Sequence, residues 1–221
     1  HGNLSNLVEW HREEFQVVAE DRASQVASLA FDAAVWEIWP YLASGASIHF
    51  ATENARAEPE ALRDWLVEEK INISFVPTAL AEHMLSLPWP ASTSLRFLLT
   101  GADTLRRYPP NGLPFALINN YGPTEGTVVS TSGMIPGGGP ADQTPPIGKA
   151  LRNVQTYVLD RELRIVERGA AGELCIGVET DHPAHDRRVA RITRELTDER
   201  AVDLHPIDGE RTQERERRVT G

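Results

Sequence analysis

Apolar positions along this chain recur with two periods, and the alternation between them outlines an α/β protein. Over residues 3–18, Leu4, Leu7, Val8, His11 and Phe15 share one helical face and charge fills much of the other, with His11 at the boundary of that face. Gln25–Phe31 reads as a strand with Asp32 at its end, and Ala33 to about Leu42 as a helix built on Val35, Trp36, Trp39 and Leu42. Ser47–Phe50 is a short strand. Pro59 suits a first helical turn, and Leu62, Trp65 and Leu66 carry that helix to about Glu69. Ile71, Ile73 and Phe75 then alternate with Asn72 and Ser74, a strand period. A helix over 78–86 follows Pro77, and Leu95–Leu99 and Phe115–Ile118 are two more strands. This alternation predicts a mostly parallel, doubly wound sheet with flanking helices.

The pattern changes after residue 132. Residues 133–146 are rich in Gly and Pro and read as an irregular loop. Val154–Leu159, Leu163–Val166 and Gly172–Gly177 are short runs that predict a small antiparallel, barrel-like β subdomain over 147–177. The last 44 residues, 178–221, hold no aromatic residue but 9 arginines and 11 acids. They can bury little apolar surface, which predicts a loosely ordered charged tail. The expected organisation is therefore an α/β part over 1–132, the loop, the β subdomain and the tail.

A formal net charge of −10 argues against a nucleic-acid partner. The single cysteine, Cys175, excludes an internal disulfide, reads as a packed strand residue and fits a reducing compartment such as the cytoplasm. Neither a membrane-length apolar run nor a basic-then-apolar N-terminus is visible. His182 and His185 flank Pro183, which denies them a shared helical face for a metal. The opening His1-Gly2-Asn3-Leu4, without an initiator methionine, reads as the start of a piece of something longer.

Open parallel sheets bind ligands outside the carboxyl ends of their strands. Asp32, Ser74, Thr100–Asp103 and Asn119–Glu125 fall at or near four such ends. In Asn119-Asn120-Tyr121-Gly122-Pro123-Thr124-Glu125-Gly126, the Gly-Pro pair forces a turn, and a hydroxyl and a carboxylate follow it directly. Thr124 can bond a phosphate oxygen, and Glu125 can hold Mg²⁺, which favours one or two carboxylates plus phosphates. An ordinary turn with a solvated Thr-Glu pair is the plainer alternative, as a helix N-cap is for Asp32.

The octapeptide resembles the Asn-x-Tyr-Gly-Pro-Thr-Glu signature of adenylate-forming enzymes, in particular the amino-acid-activating adenylation domains of nonribosomal peptide synthetases, and matches it at every position. Phe31-Asp32 followed by Val35-Trp36-Glu37-Ile38-Trp39 resembles the family's Phe-Asp-x-Ser-x-x-Glu motif, with Ala34 in place of serine. Pro146–Lys149, Tyr157–Asp160 and Gly172–Gly177 are similar to later family motifs, and His1-x-Asn3-Leu4 to the segment just downstream of the glycine-rich phosphate loop. The resemblance is strong over residues 1–177. It breaks at Val178 and returns weakly at Glu195–Arg200 and Arg218–Gly221.

The resemblance implies a two-step reaction in which an amino acid is adenylated with ATP and Mg²⁺, then passed to the phosphopantetheine thiol of a peptidyl carrier domain, beside a condensation domain of the same synthetase. It implies that Asn119, Tyr121 and Gly122 contact the nucleotide with Ala102 beside it, that Thr124 meets phosphate, and that Glu125 holds Mg²⁺. The substrate pocket falls on Asp32, which would bind the α-ammonium, and on Ala33, Trp36, Ser74, Leu99, Gly101, Asn120, Val128 and Val129. This lining suits an apolar, leucine-like side chain first; Ser74 and Asn120 keep glutamine second. No catalytic residue is expected within the chain, since the family's phosphate loop would precede His1 and its catalytic lysine would follow Gly221.

Two other classes stay open. One is a non-catalytic interaction or spacer module, favoured by the divergence after Gly177; the other is a fatty- or aryl-acid ligase, against which Asp32 argues. The 221 residues alone are expected to show no amino-acid-dependent pyrophosphate exchange, because single charge-stabilising donors are worth ~2.7–4 kcal/mol in such transition states. Robust exchange by the purified chain would contradict this.

Overall fold

The computed structural model describes residues 1–167 and 169–178, together with the strand backbone of 189–196. Five strands run parallel: β1 (Arg22–Gln25), β2 (Ser47–Phe50), β3 (Ile73–Pro77), β4 (Phe97–Gly101) and β5 (Ala116–Tyr121). Two more, β6 (Thr131–Ile135) and β7 (Lys149–Ala150), join antiparallel, giving the order β2-β1-β3-β4-β5-β6-β7.

Strand alternation divides the core. Ile73, Phe75, Leu99 and Ile118 pack against Leu7 and Trp10 of α1 (Gly2–Glu14) and Trp36 and Tyr41 of α2 (Ala33–Ser44). Val76, Leu98 and Leu117 pack on the other face, against Ala55 of α3 (Glu53–Ala57), Leu62 and Leu66 of α4 (Pro59–Glu68), and Ala81 and Met84 of α5 (Thr78–Met84). This is the predicted doubly wound, mostly parallel architecture.

Several elements differ from the sequence reading, each for a local reason. The first helix stops at Glu14, because Gln16 turns left-handed at φ 48°. His11 is no boundary residue. It is fully buried, its Nδ1 accepts the indole N–H of Trp36 at 2.9 Å, and its ring meets Phe15 and Tyr41 edge-on. The first strand covers 22–25 and not 25–31, since the amides of Val26 and Ala27 donate to the Glu37 carboxylate, not to a neighbouring strand. Residues 133–135 leave the expected loop and, with Thr131 and Ser132, pair with Leu117–Tyr121 of β5, so Asn119–Tyr121 are strand residues.

Lys149–Ala150, expected in the β subdomain, extends the main sheet. The small sheet has three antiparallel strands, β8 (Val154–Leu159), β9 (Gly172–Val178) and β10 (Val189–Leu196), in the order β10-β9-β8. The expected strand at 163–166 reduces to a single bridge between Leu159 and Ile165. Leu174 and Ile176 dock the small sheet against Tyr121 and Ile147, while Cys175 beside them is buried. In the tail expected to be loosely ordered, Val178 ends β9 and 189–196 is strand; 179–188 and 197–221, with His182, His185 and the Arg218–Gly221 resemblance, lie outside the described residues. Among the described residues no helix is long and apolar enough to cross a membrane.

Candidate functional site

Backbone crowding shapes the edge where β4 and β5 end. A Cβ on Gly101 would stand 2.6 Å from the Asn120 carbonyl oxygen, and one on Gly122 would stand 2.5 Å from that of Val128. Glycine at 101 therefore permits the close approach of two strands. Around this edge three non-glycine residues take left-handed backbone: Ala102 at φ 74°, Thr127 at 65° and Val128 at 66°. For β-branched residues that conformation is strained, on the order of 1–3 kcal/mol each, and such strain gathers at functional sites.

Most of the expected pocket residues meet here. Ala33, Trp36, Leu99 and Val129 belong to one apolar cluster, with Val128 packed against it. Trp36 sits with its ring centroid 5.4 Å from that of Phe75, a residue the sequence reading passed over. Ser74 does not join them. Its side chain lies on the opposite face of β3 from Phe75 and bonds Ser24 Oγ at 2.7 Å. The period-2 alternation of β3 was itself the available signal: whichever of the two residues shares a face with Ile73 shares it with the aromatic core.

The two asparagines are also occupied. Asn120 donates to the carbonyls of Thr100 at 3.1 Å and Ile118 at 3.2 Å, and accepts from Ser132 Oγ at 2.8 Å. Asn119, on the other face of β5, donates to Pro146 O at 2.9 Å and so fastens the Gly/Pro-rich loop to the sheet. Both amides brace backbone.

Asp32 occupies the N-cap position of α2 without a side-chain cap bond. Its Oδ2 instead accepts the hydroxyl of Thr124 at 2.6 Å, joining positions 92 residues apart. The turn after β5, Thr124–Gly126, is a single 3-10 turn with Thr124 and Glu125 exposed. Among the described residues no group of three His, Cys, Asp or Glu side chains could hold a metal. Glu125 thus offers one carboxylate, a donor set that fits Mg²⁺ arriving on substrate phosphates and not a dedicated metal cage.

Comparison with known proteins places the chain in a family. A family profile described as "AMP-binding enzyme" matches residues 1–180. One of the proteins that make up the linear gramicidin synthase of Brevibacillus parabrevis is 55% identical over 177 residues, covering 80% of this chain and 3% of that protein. Bacitracin synthase 1 of Bacillus licheniformis is 39% identical over 211 residues, covering 96% of this chain and 4% of its own length. Among solved structures, the nonribosomal peptide synthetase FmoA3 in its AMPPNP-bound form superposes with a TM-score of 0.72 at 26% identity, over 80% of this chain and 20% of that one. The chain therefore spans only a small part of each relative. With a family profile matching residues 1–180 and these relatives beside it, this chain belongs to the AMP-binding enzyme family, and its relatives include nonribosomal peptide synthetases.

Proposed function

We propose that the polypeptide carrying this chain activates an amino acid for nonribosomal peptide synthesis. The amino-acid carboxylate attacks the α-phosphorus of ATP and the bond to pyrophosphate breaks, leaving an aminoacyl-adenylate. A carrier-bound phosphopantetheine thiol then takes the acyl group and releases AMP. The observation that carries this reading is the Thr124–Asp32 contact at 2.6 Å: the residue suited to a phosphate and the residue suited to an ammonium adjoin at one strand-end edge. That adjacency is what joining an amino acid to a nucleotide requires. Mg²⁺ bound with the phosphates near Glu125 would offset charge developing there.

Within this reading Asp32 holds the α-ammonium. Ala33, Trp36, Leu99, Val128 and Val129 form the side-chain wall, with Phe75 in place of Ser74. Gly101 and Asn120 shape the backbone at its rim, while Tyr121, Gly122 and Ala102 lie beside the nucleotide. The internal bonds of Ser74 and Asn120 remove the polar groups that would have favoured glutamine. An apolar, leucine-sized substrate is the better fit, and an unpaired charge against this wall would be costly.

An amino-acid panel in pyrophosphate exchange, run on the complete adenylation domain that contains this chain, tests the assignment. Leucine should lead. Valine and isoleucine should leak, because one methylene is worth only ~1–3 kcal/mol. A preference for aspartate, lysine or an aryl acid would overturn it.

A further inference from the structure

Between the end of β1 and Asp32 runs a segment, 26–31, that belongs to no strand or helix. Its first two amides have no strand partner. Val26 N donates to Glu37 Oε1 at 2.8 Å and Ala27 N to Glu37 Oε2 at 3.0 Å. Glu37 stands in α2, five residues after Asp32, and is 2% exposed. The carboxylate therefore reaches back across the segment and closes it into a ring: β1 leads out, the ring carries Asp32, and α2 returns to the starting point.

A second layer holds the carboxylate. Gln25 Nε2 donates to Glu37 Oε2 at 3.0 Å, and Gln25 Oε1 accepts from Arg56 Nη2 at 2.9 Å. Within the ring, the amide of Phe31 donates to Ser28 O at 2.9 Å, and that of Val35 to Asp32 O at 2.9 Å. Asp32 itself makes no side-chain bond to the helix it caps. Its carboxylate meets the Thr124 hydroxyl across the edge, and its backbone is placed by the segment on either side, which Glu37 closes.

We propose that Glu37 is a positioning residue for amino-acid recognition: by binding the amides of Val26 and Ala27 it sets where Asp32 meets the substrate ammonium. Burial of a carboxylate is costly unless donors meet it, and three donors do so here. Replacing it by glutamine turns one acceptor oxygen into an amine facing those donors, so at least one buried N–H loses its partner. The ring then loosens at its closure, about one helical turn from Asp32. A displacement of about 1 Å in a substrate-positioning group can cost as much as 10²-fold.

The inference rests on the reading of Asp32 as the ammonium ligand, and the test separates the two. In the complete adenylation domain, KM for the amino acid and KM for ATP are measured for Glu37→Gln, Gln25→Leu, Asp32→Ala and the core control Leu62→Ala. The expected result for Glu37→Gln is a rise of roughly ten- to a hundredfold in amino-acid KM with little change in ATP KM. Gln25→Leu, which leaves both amide bonds in place, should give a smaller rise of the same kind and decides the matter if Glu37→Gln does not fold. Leu62→Ala should lower the melting temperature without separating the two KM values. If Glu37→Gln only lowers the melting temperature, as the control does, while Asp32→Ala raises amino-acid KM, the positioning role is wrong and the functional reading stands. If Asp32→Ala leaves amino-acid KM unchanged, the functional reading itself fails.

Discussion

Substituting Asp32 by asparagine or alanine in the complete adenylation domain is expected to lower kcat/KM for the amino acid by roughly 10- to 200-fold, the equivalent of losing one charge-assisted hydrogen bond of about 1.5–3 kcal/mol. The two variants differ informatively. Asparagine keeps an oxygen that can accept the Thr124 hydroxyl, whereas alanine leaves that hydroxyl without its 2.6 Å partner. If the charge of Asp32 is what recognises substrate, both variants lose amino-acid activation to a similar degree. If the Thr124 contact is what matters, only alanine does. A substrate analogue lacking the α-ammonium should be indifferent to either change. Undiminished activity in both variants would refute the role of Asp32.

A second large effect is expected from acid titration of stability. Burial pushes His11 down from 6.5 to about 3, and its Nδ1 is already engaged as acceptor for Trp36. The unfolded chain therefore takes up this proton first as pH falls. The stability that a neutral His11 preserves is complete above about pH 6.5 and is lost progressively toward pH 3, ~5 kcal/mol in all.

Glu37 acts with the opposite sign. Burial raises it from 4.5 to about 7, against the pull of the Val26 and Ala27 amides, Gln25 and Arg56. The folded chain binds that proton first, so stability rises as pH falls from about 7 to 4.5. Between pH 6.5 and 4.5 the two slopes nearly cancel; below 4.5 only that of His11 remains. Denaturant unfolding across pH should thus show Glu37→Gln losing about 3 kcal/mol more than the parent between pH 6.5 and 4.5. Parallel curves for the two proteins would contradict these assignments.

Some of this was legible in the residues alone. Periodicity gave the alternation of strands and helices, hence the doubly wound sheet and the edge at which a site must lie. The Asn119–Glu125 stretch suggested a phosphate-binding turn, because a Gly-Pro turn followed by a hydroxyl and a carboxylate needs no distant partner to be recognised. Asp32, Trp36, Leu99, Val128 and Val129 were named through the resemblance to the adenylation family; the fold packs Trp36, Leu99 and Val129 into one apolar cluster with Val128 against it.

What the sequence could not decide are matters of partner and face. Ser74 and Phe75 are adjacent on one strand, and a shift of one residue exchanges the two faces of a sheet; only the packing of Phe75 on Trp36 selects between them. Apolar Val26 and Ala27 extend the strand pattern toward Phe31, yet their amides go to a carboxylate eleven and ten residues on. β6 was hidden in a Gly-rich stretch whose strand character comes from pairing with β5. His11 looked marginal on its own helix and became a core residue because a second helix brought an indole N–H to it. Local pattern determined most of the elements and the residue types offered at the turn. The tertiary structure decided which amide, which face and which carboxylate meet, because hydrogen bonds and burial are satisfied between segments far apart in the chain.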